Sequence, residues 1–466
     1  MVPSASATVI EINEPDWYDS RFMGGQRHFL NQKFIPVMAA LLIGAACNNP
    51  IGNNPQPTPK IGDPIVVGAP LAASGTFVQE GGLTKQGYEL WADWANRDGG
   101  IVVQNVRHPV KILYEDDASQ AQQAAQVTEK LISEEGAKFL LAPFGTSNAV
   151  VAAGVADKHQ MPMVASNAIG RAIFTQGYKY VFGVVASAES YTQAVTDMLA
   201  SMNPKPVTLA IISADDLFSL AVTQAITTYA VSKGQQVVFS AKYPAGSTNL
   251  YPLVQQAKAK NPDMFMDSGH LLEAVAAHKA AKDLLLDAKV FIYAVGPGQP
   301  EFVQALGPSA DFTITASTWT PQARFKASYY LSSAEYVAAY RKKYNTQNEP
   351  SSLVANATAA GIALQKAIEN ANSLDPDAVR EALVNLDINT FFGRIKFDSQ
   401  GQNTFKNILV VQVQNGQTQT IWPSEVASAA PIYPTQTWEV RFGMPPAAPI
   451  PWLPPQPPPA LPAVLN

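Results

Sequence analysis

Phe139-Leu-Leu-Ala-Pro-Phe-Gly-Thr-Ser-Asn148 reads as a short apolar strand that breaks at Pro143, turns through Gly145 and runs straight into a helix. An apolar run without alternation suits a strand covered on both faces. The Gly145-Thr146-Ser147 turn that follows offers two hydroxyls, free backbone N–H groups and the positive end of a helix dipole. That combination is a seat for an anion such as a carboxylate. Plain capping of the helix by Thr146 or Ser147 is the other reading of the same residues.

The strand–turn–helix unit recurs on both sides. Upstream come the strand Ile65–Gly68, a helix over Leu83–Asn96 ended by Gly99-Gly100, the strand Val110–Tyr114, and a helix from a Ser119 cap to Gly136. Downstream, a helix over Ser147–His159 leads to the strand Met163–Ala165. The rhythm then restarts with strands at Thr208–Ile212, Gln236–Phe239, Met264–Met266 and Val290–Tyr293, and helices at about Ser219–Lys233, Leu250–Lys260 and Leu272–Leu285. Strands alternating with helices predict parallel sheets with helices on both faces, and two such runs predict two lobes. After Thr318 the pattern is more helical, over Ser333–Lys343, Leu353–Asn372 and Pro376–Leu386, before a closing strand at Ile408–Val413.

The 466 residues are enough for two or three domains, and a net charge of −5 with 15% charged residues gives no footprint for nucleic acid. Cys47 is the single cysteine, so no intramolecular disulfide forms. It ends the apolar run Phe34–Cys47, with Arg27, His28 and Lys33 before it and a polar, Pro-rich linker after it, which reads as an export signal. The run is too short to span a bilayer. Cys47 after Gly44-Ala45-Ala46 resembles a bacterial lipoprotein signal, with lipid attachment at Cys47, although Gly44 stands where that signal usually has Leu. An ordinary cleaved signal and a buried N-terminal helix are the alternatives. Glu11, Glu14, Asp16 and Asp19 are wrong for the start of a signal, so Met23 is the expected true start. At the other end, residues 445–466 hold ten of the 36 prolines, which predicts an extended tail, dispensable for binding.

Enzyme signatures are missing. The five histidines, at positions 28, 108, 159, 270 and 278, show no zinc spacing with Cys47, and there is no nucleophile elbow, Walker loop or dinucleotide fingerprint. Glu115-Asp116-Asp117 lacks further carboxylates at a cation-loop spacing and reads as a strand-end cap. The expectation is a protein with no metal, no cofactor and no catalysis. A hydrolase would need Thr146 and His270 to meet across a cleft as nucleophile and base.

In open α/β sheets ligands sit at the carboxyl ends of the strands. Here those ends carry Pro70–Phe77 (including Ser74-Gly75) with Glu80-Gly81-Gly82, the Gly145-Thr146-Ser147 loop, and Ala165-Ser166-Asn167-Ala168. Together with Asn96-x-x-Gly99-Gly100-Ile101, Tyr114-x-Asp116-Asp117, Asp215-Asp216-Leu217-Phe218 and Phe392-Gly-Arg-Ile-Lys-Phe-Asp398, these loops resemble the branched-chain amino acid-type substrate-binding proteins of ABC transporters. Those are class I periplasmic binding proteins of the Leu/Ile/Val-binding family. The resemblance covers about residues 62–425 and implies two lobes with a three-segment hinge that close on a small ligand. Lobe one would hold 62–184 plus 319–400, lobe two 185–318 plus 401–425, with 1–60 as leader and linker and 426–466 as tail.

The resemblance also implies roles. The ligand carboxylate would be held by Thr146 with Gly145 and Ser147, and by Asn167-Ala168; Ser74 and Phe77 lie in the opening loop. Phe218 and His270 stand at the family's aromatic positions of lobe two, and Gly296 in the loop after Val290–Tyr293. In amino acid binders that loop carries an acid for the ligand ammonium. Here it reads Ala294-Val-Gly-Pro-Gly-Gln299, without one. Glu80 or Asp267 would have to substitute, since an unpaired buried ammonium costs several kcal/mol. The choice lies between an amino acid held by one of these and a plain aromatic or aliphatic acid, with the plain acid favoured. The implied setting is a monomer, periplasmic or lipid-anchored, delivering its ligand to an ABC permease in the inner membrane. A ligand sensor on the same fold is the alternative.

Overall fold

The computed structural model describes residues 60–168, 170–404 and 408–443. The expected leader with Cys47 and the proline-rich stretch beyond Gly443 lie outside them.

The chain begins with β1 (Lys60–Ile61), β2 (Ile65–Leu71) and α1 (Val78–Asn96). A hairpin of β3 (Ile101–Val103) and β4 (Val106–His108) leads to β5 (Val110–Asp116) and α2 (Ala121–Ser133). Then follow β6 (Phe139–Leu141), α3 (Thr146–Lys158), β7 (Met163–Ala165) and β8 (Val181–Gly183). Strands β5-β2-β6-β7-β8 form a wholly parallel sheet in that order. Every residue of β6 and β7 is buried, as continuous apolar strands between two helix layers must be.

The next run is α4 (Ala188–Ala200), β9 (Thr208–Ala214), α5 (Leu217–Ser232), β10 (Gln236–Tyr243), α6 (Tyr251–Lys258), β11 (Met264–Ser268), α7 (Leu271–Asp283), β12 (Val290–Tyr293), α8 (Pro300–Leu306) and β13 (Ile314–Ser317). The parallel order β10-β9-β11-β12-β13 repeats the winding of the first sheet. After it come α9 (Ser333–Tyr344), α10 (Ser352–Ala371), α11 (Pro376–Val384) and the hairpin β14 (Asp387–Thr390) and β15 (Gly393–Lys396). Finally β16 (Leu409–Gln414) and β17 (Gln417–Trp422) extend the second sheet in antiparallel sense, and α12 (Trp438–Phe442) closes the described chain. Among the described residues no helix is long and apolar enough to cross a membrane.

The late helices return to the first sheet. Gly361 of α10 lies against Trp91 of α1, where a Cβ would come within 2.1 Å of the indole, and the indole N–H donates to Gln365 at 3.1 Å. At the same crossing a Cβ on Gly87 would lie 2.2 Å from the Val354 carbonyl, so the two helices approach at glycine distance. The chain crosses to the second sheet again beside β8, where Gly183 exchanges backbone hydrogen bonds with Gly401 and Asn403.

Several local expectations change. The residue before α2 is Gln120, and the Ser119 hydroxyl instead accepts from Phe77 N and donates to the Ser74 carbonyl, tying two loops together. Residues 426–443, grouped with the tail on composition, pack on the second sheet. Trp438 is 1% exposed and donates to the Leu286 carbonyl, while Arg441 donates to the carbonyls of Ser309 and Asp311.

Candidate ligand-binding cleft

In each sheet the winding reverses beside the first strand, between β2 and β6 and between β9 and β11. Loops diverge there and leave a crevice at the carboxyl ends of the strands. The two crevices share one cavity of about 70 Å³. One water needs about 10–15 Å³, so the space suits a small solute. From the first sheet's side come Phe144, Gly145, Thr146 and Asn167; from the second, Phe218, His270, Ala294, Gly296, Gln299 and Thr315. Tyr191 of α4 and Ser352, Leu353 and Asn356 of α10 complete the wall.

At the start of α3, Gly145 stands before the helix with φ 85°, a conformation glycine adopts without strain. Neither Thr146 nor Ser147 caps the helix with its side chain. The Thr146 hydroxyl accepts from Gly170 N at 3.1 Å, which leaves its own proton to donate. The first-turn N–H groups of a helix have no intrahelical acceptor, so the seat carries partial positive charge. Asn167 is held from three directions: its amide donates to the Thr84 hydroxyl and the Leu353 carbonyl, and its Oδ1 accepts from Asn356 at 2.9 Å.

His270 faces this seat from the second sheet. Its Nε2 bonds Asp216 Oδ2 at 3.2 Å, and Asp216 also accepts from the N–H groups of Phe218 and Ser219 at the start of α5. Burial would push the imidazole down, but the Asp216 hydrogen bond and the charges of Asp216, Glu273 and Glu80 outweigh it and hold His270 up at about 9. Held so, the ring is the cationic half of an ion pair with Asp216. Its Nδ1 is buried without a partner. Phe77, Phe144 and Phe218 surround the ring, with centroids 4.6, 5.8 and 5.2 Å away. Beneath Phe218 and Tyr191 an apolar recess of about 20 Å³ is walled by Val195, Val222, Ile226 and Met266.

Among the described residues no Asp, Glu, Lys or Arg lines the cavity. Glu80 and Asp267 are buried beside it. Glu80 accepts from Leu271 N at 3.1 Å, and Asp267 accepts from the Tyr243 hydroxyl at 2.5 Å. Burial pushes the Asp267 carboxyl up to about 8. Phe77 is not in the lining but packs against Phe144, His270 and the Gly145 turn, which are. Ser74 lies away from it, with its hydroxyl and N–H bonded to Asp116, and Ser147 and Ala168 flank the lining without joining it. No hydrogen bond joins Thr146 to His270. Gly296 lies in the wall with φ 127°, and a Cβ there would meet Phe302 at 2.8 Å.

Two parallel sheets of the same winding, facing each other across one buried crevice and joined by repeated crossings, define a class I periplasmic binding fold. The chain belongs to the periplasmic binding protein family, whose pattern matches residues 64–418. It is 24% identical over 404 residues to Leu/Ile/Val-binding protein homolog 7 of Brucella melitensis, covering 84% of this chain and 96% of that one. The fold is shared with the branched-chain amino acid transporter substrate-binding protein LivJ of Streptococcus pneumoniae, solved with isoleucine (TM-score 0.67, 19% identity, 80% and 100% of the two chains). It is shared as well with an ABC transporter solute-binding protein of R. palustris, solved with benzoate (TM-score 0.67, 16% identity, 79% and 97%). The family and these relatives are solute-binding proteins, not enzymes.

Proposed function

We propose that the protein is an extracytoplasmic solute-binding protein of an ABC importer, and that its solute is a small carboxylate without an ammonium group. The observation that carries this reading is the make-up of the cavity wall. The start of α3 and the Thr146 hydroxyl favour an anion, His270 presents an unpartnered Nδ1, and no carboxylate lines the cavity to hold a cation. The two candidate acids are committed elsewhere, Glu80 to Leu271 N and Asp267 to Tyr243. The recess under Phe218 suits the apolar end of the same molecule.

On this reading the lobes comprise 62–184 with 319–400, and 185–318 with 401–443, and closing them around the solute is the signal read by a membrane permease. Carboxylate oxygens take the Thr146 hydroxyl and the first-turn N–H groups of α3. Gln299, whose Oε1 is buried without a partner, supplies a further polar contact. The protein acts as a monomer, and Cys47 provides the lipid anchor if its signal is processed in that way.

A thermal-shift screen of the purified protein tests this, with benzoate, hydroxybenzoates, short aliphatic acids, L-leucine and L-isoleucine. Plain acids should raise the melting temperature, with dissociation constants from nanomolar to tens of micromolar, or roughly −7 to −12 kcal/mol. Stabilisation by leucine and isoleucine, with none by plain acids, would refute the ligand class. No response to any acid would refute the binding reading itself.

A further inference from the structure

Helix α7 begins at the cleft with an incomplete cap. Its N-cap residue, His270, makes no side-chain cap bond. Glu273 stands at the third helical position, where a capping box would place a reciprocal Glu, but it turns away and accepts from Gly246 N at 2.7 Å. The N–H of Leu271, the first residue of the helix, is served from the opposite lobe by Glu80 Oε1, 191 positions earlier in the chain. Glu80 itself occupies the first turn of α1. One carboxyl group thus sits between the positive ends of two helices, one from each lobe.

The surroundings bind this contact to closure. Glu80 and His270 are 2% exposed, and the ring of Phe77 from the first lobe packs, tilted, against that of His270 from the second. Glu80 is also wired to the cavity wall: its carbonyl accepts from the Thr84 hydroxyl, which accepts from the side-chain amide of Asn167. Glu80 does not line the cavity. Separating the lobes would break the Glu80–Leu271 bond and hand both groups to water.

We infer that Glu80 is a positioning residue for closure, capping α7 across the cleft only in the closed molecule and setting the open–closed balance without touching the solute. The inference rests on the solute-binding reading above. Apparent affinity falls with the fraction of molecules able to close, so Glu80 tunes the affinity for every solute alike. A carboxylate or a carboxyl oxygen can accept from Leu271, so an amide can replace it but a methyl group cannot.

The test is single-molecule energy transfer in the full chain. Dyes are placed on cysteines introduced at the exposed Val102 and Val231, in a Cys47→Ser background, without solute and with benzoate or L-leucine. Glu80→Ala should lower the closed-to-open ratio about 5- to 150-fold in every condition, the range for leaving a buried N–H without its acceptor. Glu80→Gln should stay within about threefold of the parent. Circular dichroism checks that both variants fold. An unchanged ratio in Glu80→Ala overturns the inference. A loss confined to L-leucine also overturns it, because Glu80 would then be the partner of the ligand ammonium. If the parent closes without solute but neither solute shifts the ratio, the solute reading fails while the Glu80 comparison still stands. A parent that never closes refutes both.

Discussion

Replacing Asp267 with asparagine should stabilise the protein at pH 7–8 and destabilise it near pH 4. Asp267 is fully buried at the end of β11, takes one hydrogen bond from Tyr243, and has a second oxygen with no partner. Burial lifts its carboxyl to about 8, whereas an unfolded chain holds it near 3.9. Between those values the folded protein binds more protons than the unfolded one. Its stability contribution is therefore complete below about pH 4 and is lost progressively up to about pH 8. At ~1.4 kcal/mol per pH unit, the loss by pH 7 is on the order of 4 kcal/mol. Asparagine avoids that loss and keeps an acceptor for Tyr243. It places an amide N–H where the unpartnered oxygen lies, at a cost of about 1–3 kcal/mol. The net gain at pH 7 is then about 1–3 kcal/mol, with a crossover near pH 5–6. Urea denaturation of parent and variant from pH 4 to 8 measures the difference directly. A difference that does not vary with pH, or a variant less stable at pH 8, would refute the reasoning. It would show Asp267 to be ionised in the fold and would reopen the case for an amino acid ligand.

Thr146→Val removes the acceptor for Gly170 N and the hydroxyl in the anion seat, so urea denaturation should show a loss of about 1–3 kcal/mol and calorimetry at least a roughly tenfold weaker benzoate affinity, both restored by Thr146→Ser. Trp438→Ala should cost about 3–5 kcal/mol by the same denaturation assay, although residue 438 lies beyond the stretch matched to the family. Gly296→Ala should lower both melting temperature and benzoate affinity, because its φ is 127° and its Cβ would meet Phe302 at 2.8 Å. Gly298→Ala, whose nearest neighbour is 3.8 Å away, should leave the melting temperature unchanged.

Much of the architecture was legible because buried parallel strands are continuous apolar runs and helix ends carry Gly or small polar residues. Phe139–Leu141 and Met163–Ala165 lie where their apolarity places them, and the loops after them carry Gly145, Thr146 and Asn167 into the cavity wall. Short elements were missed. β8 and β13 have only three and four residues, and β3 and β4 have three each, too few for an alternation to be read from the sequence. The contribution of α10 was not legible either. Most of that helix is buried, so its sequence shows no polar stripe to mark one face as special, and Ser352, Leu353 and Asn356 reach the cleft from far along the chain. The charge of His270 depends on Asp216, 54 positions earlier, and no spacing rule links the two. Trp438 was hidden by composition, since a chain segment rich in proline nearby looks like a tail until its indole is seen inside the second core.

The late return of α10 to the first sheet and the docking of Trp438 on the second have a consequence for synthesis. A ribosome delivers the chain from its N-terminus, so the strands of the first sheet emerge long before residues 352–371, whose helix covers Trp91. The strands of the second sheet likewise wait for residue 438. The face of the first sheet under α2 and α3 can be covered as it is made, but neither half can bury all of its apolar surface until nearly the whole chain is free. A nascent chain of this kind stays pliable while it is being handed on, and a holdase that masks its apolar strands has until the last hundred or so residues to let go.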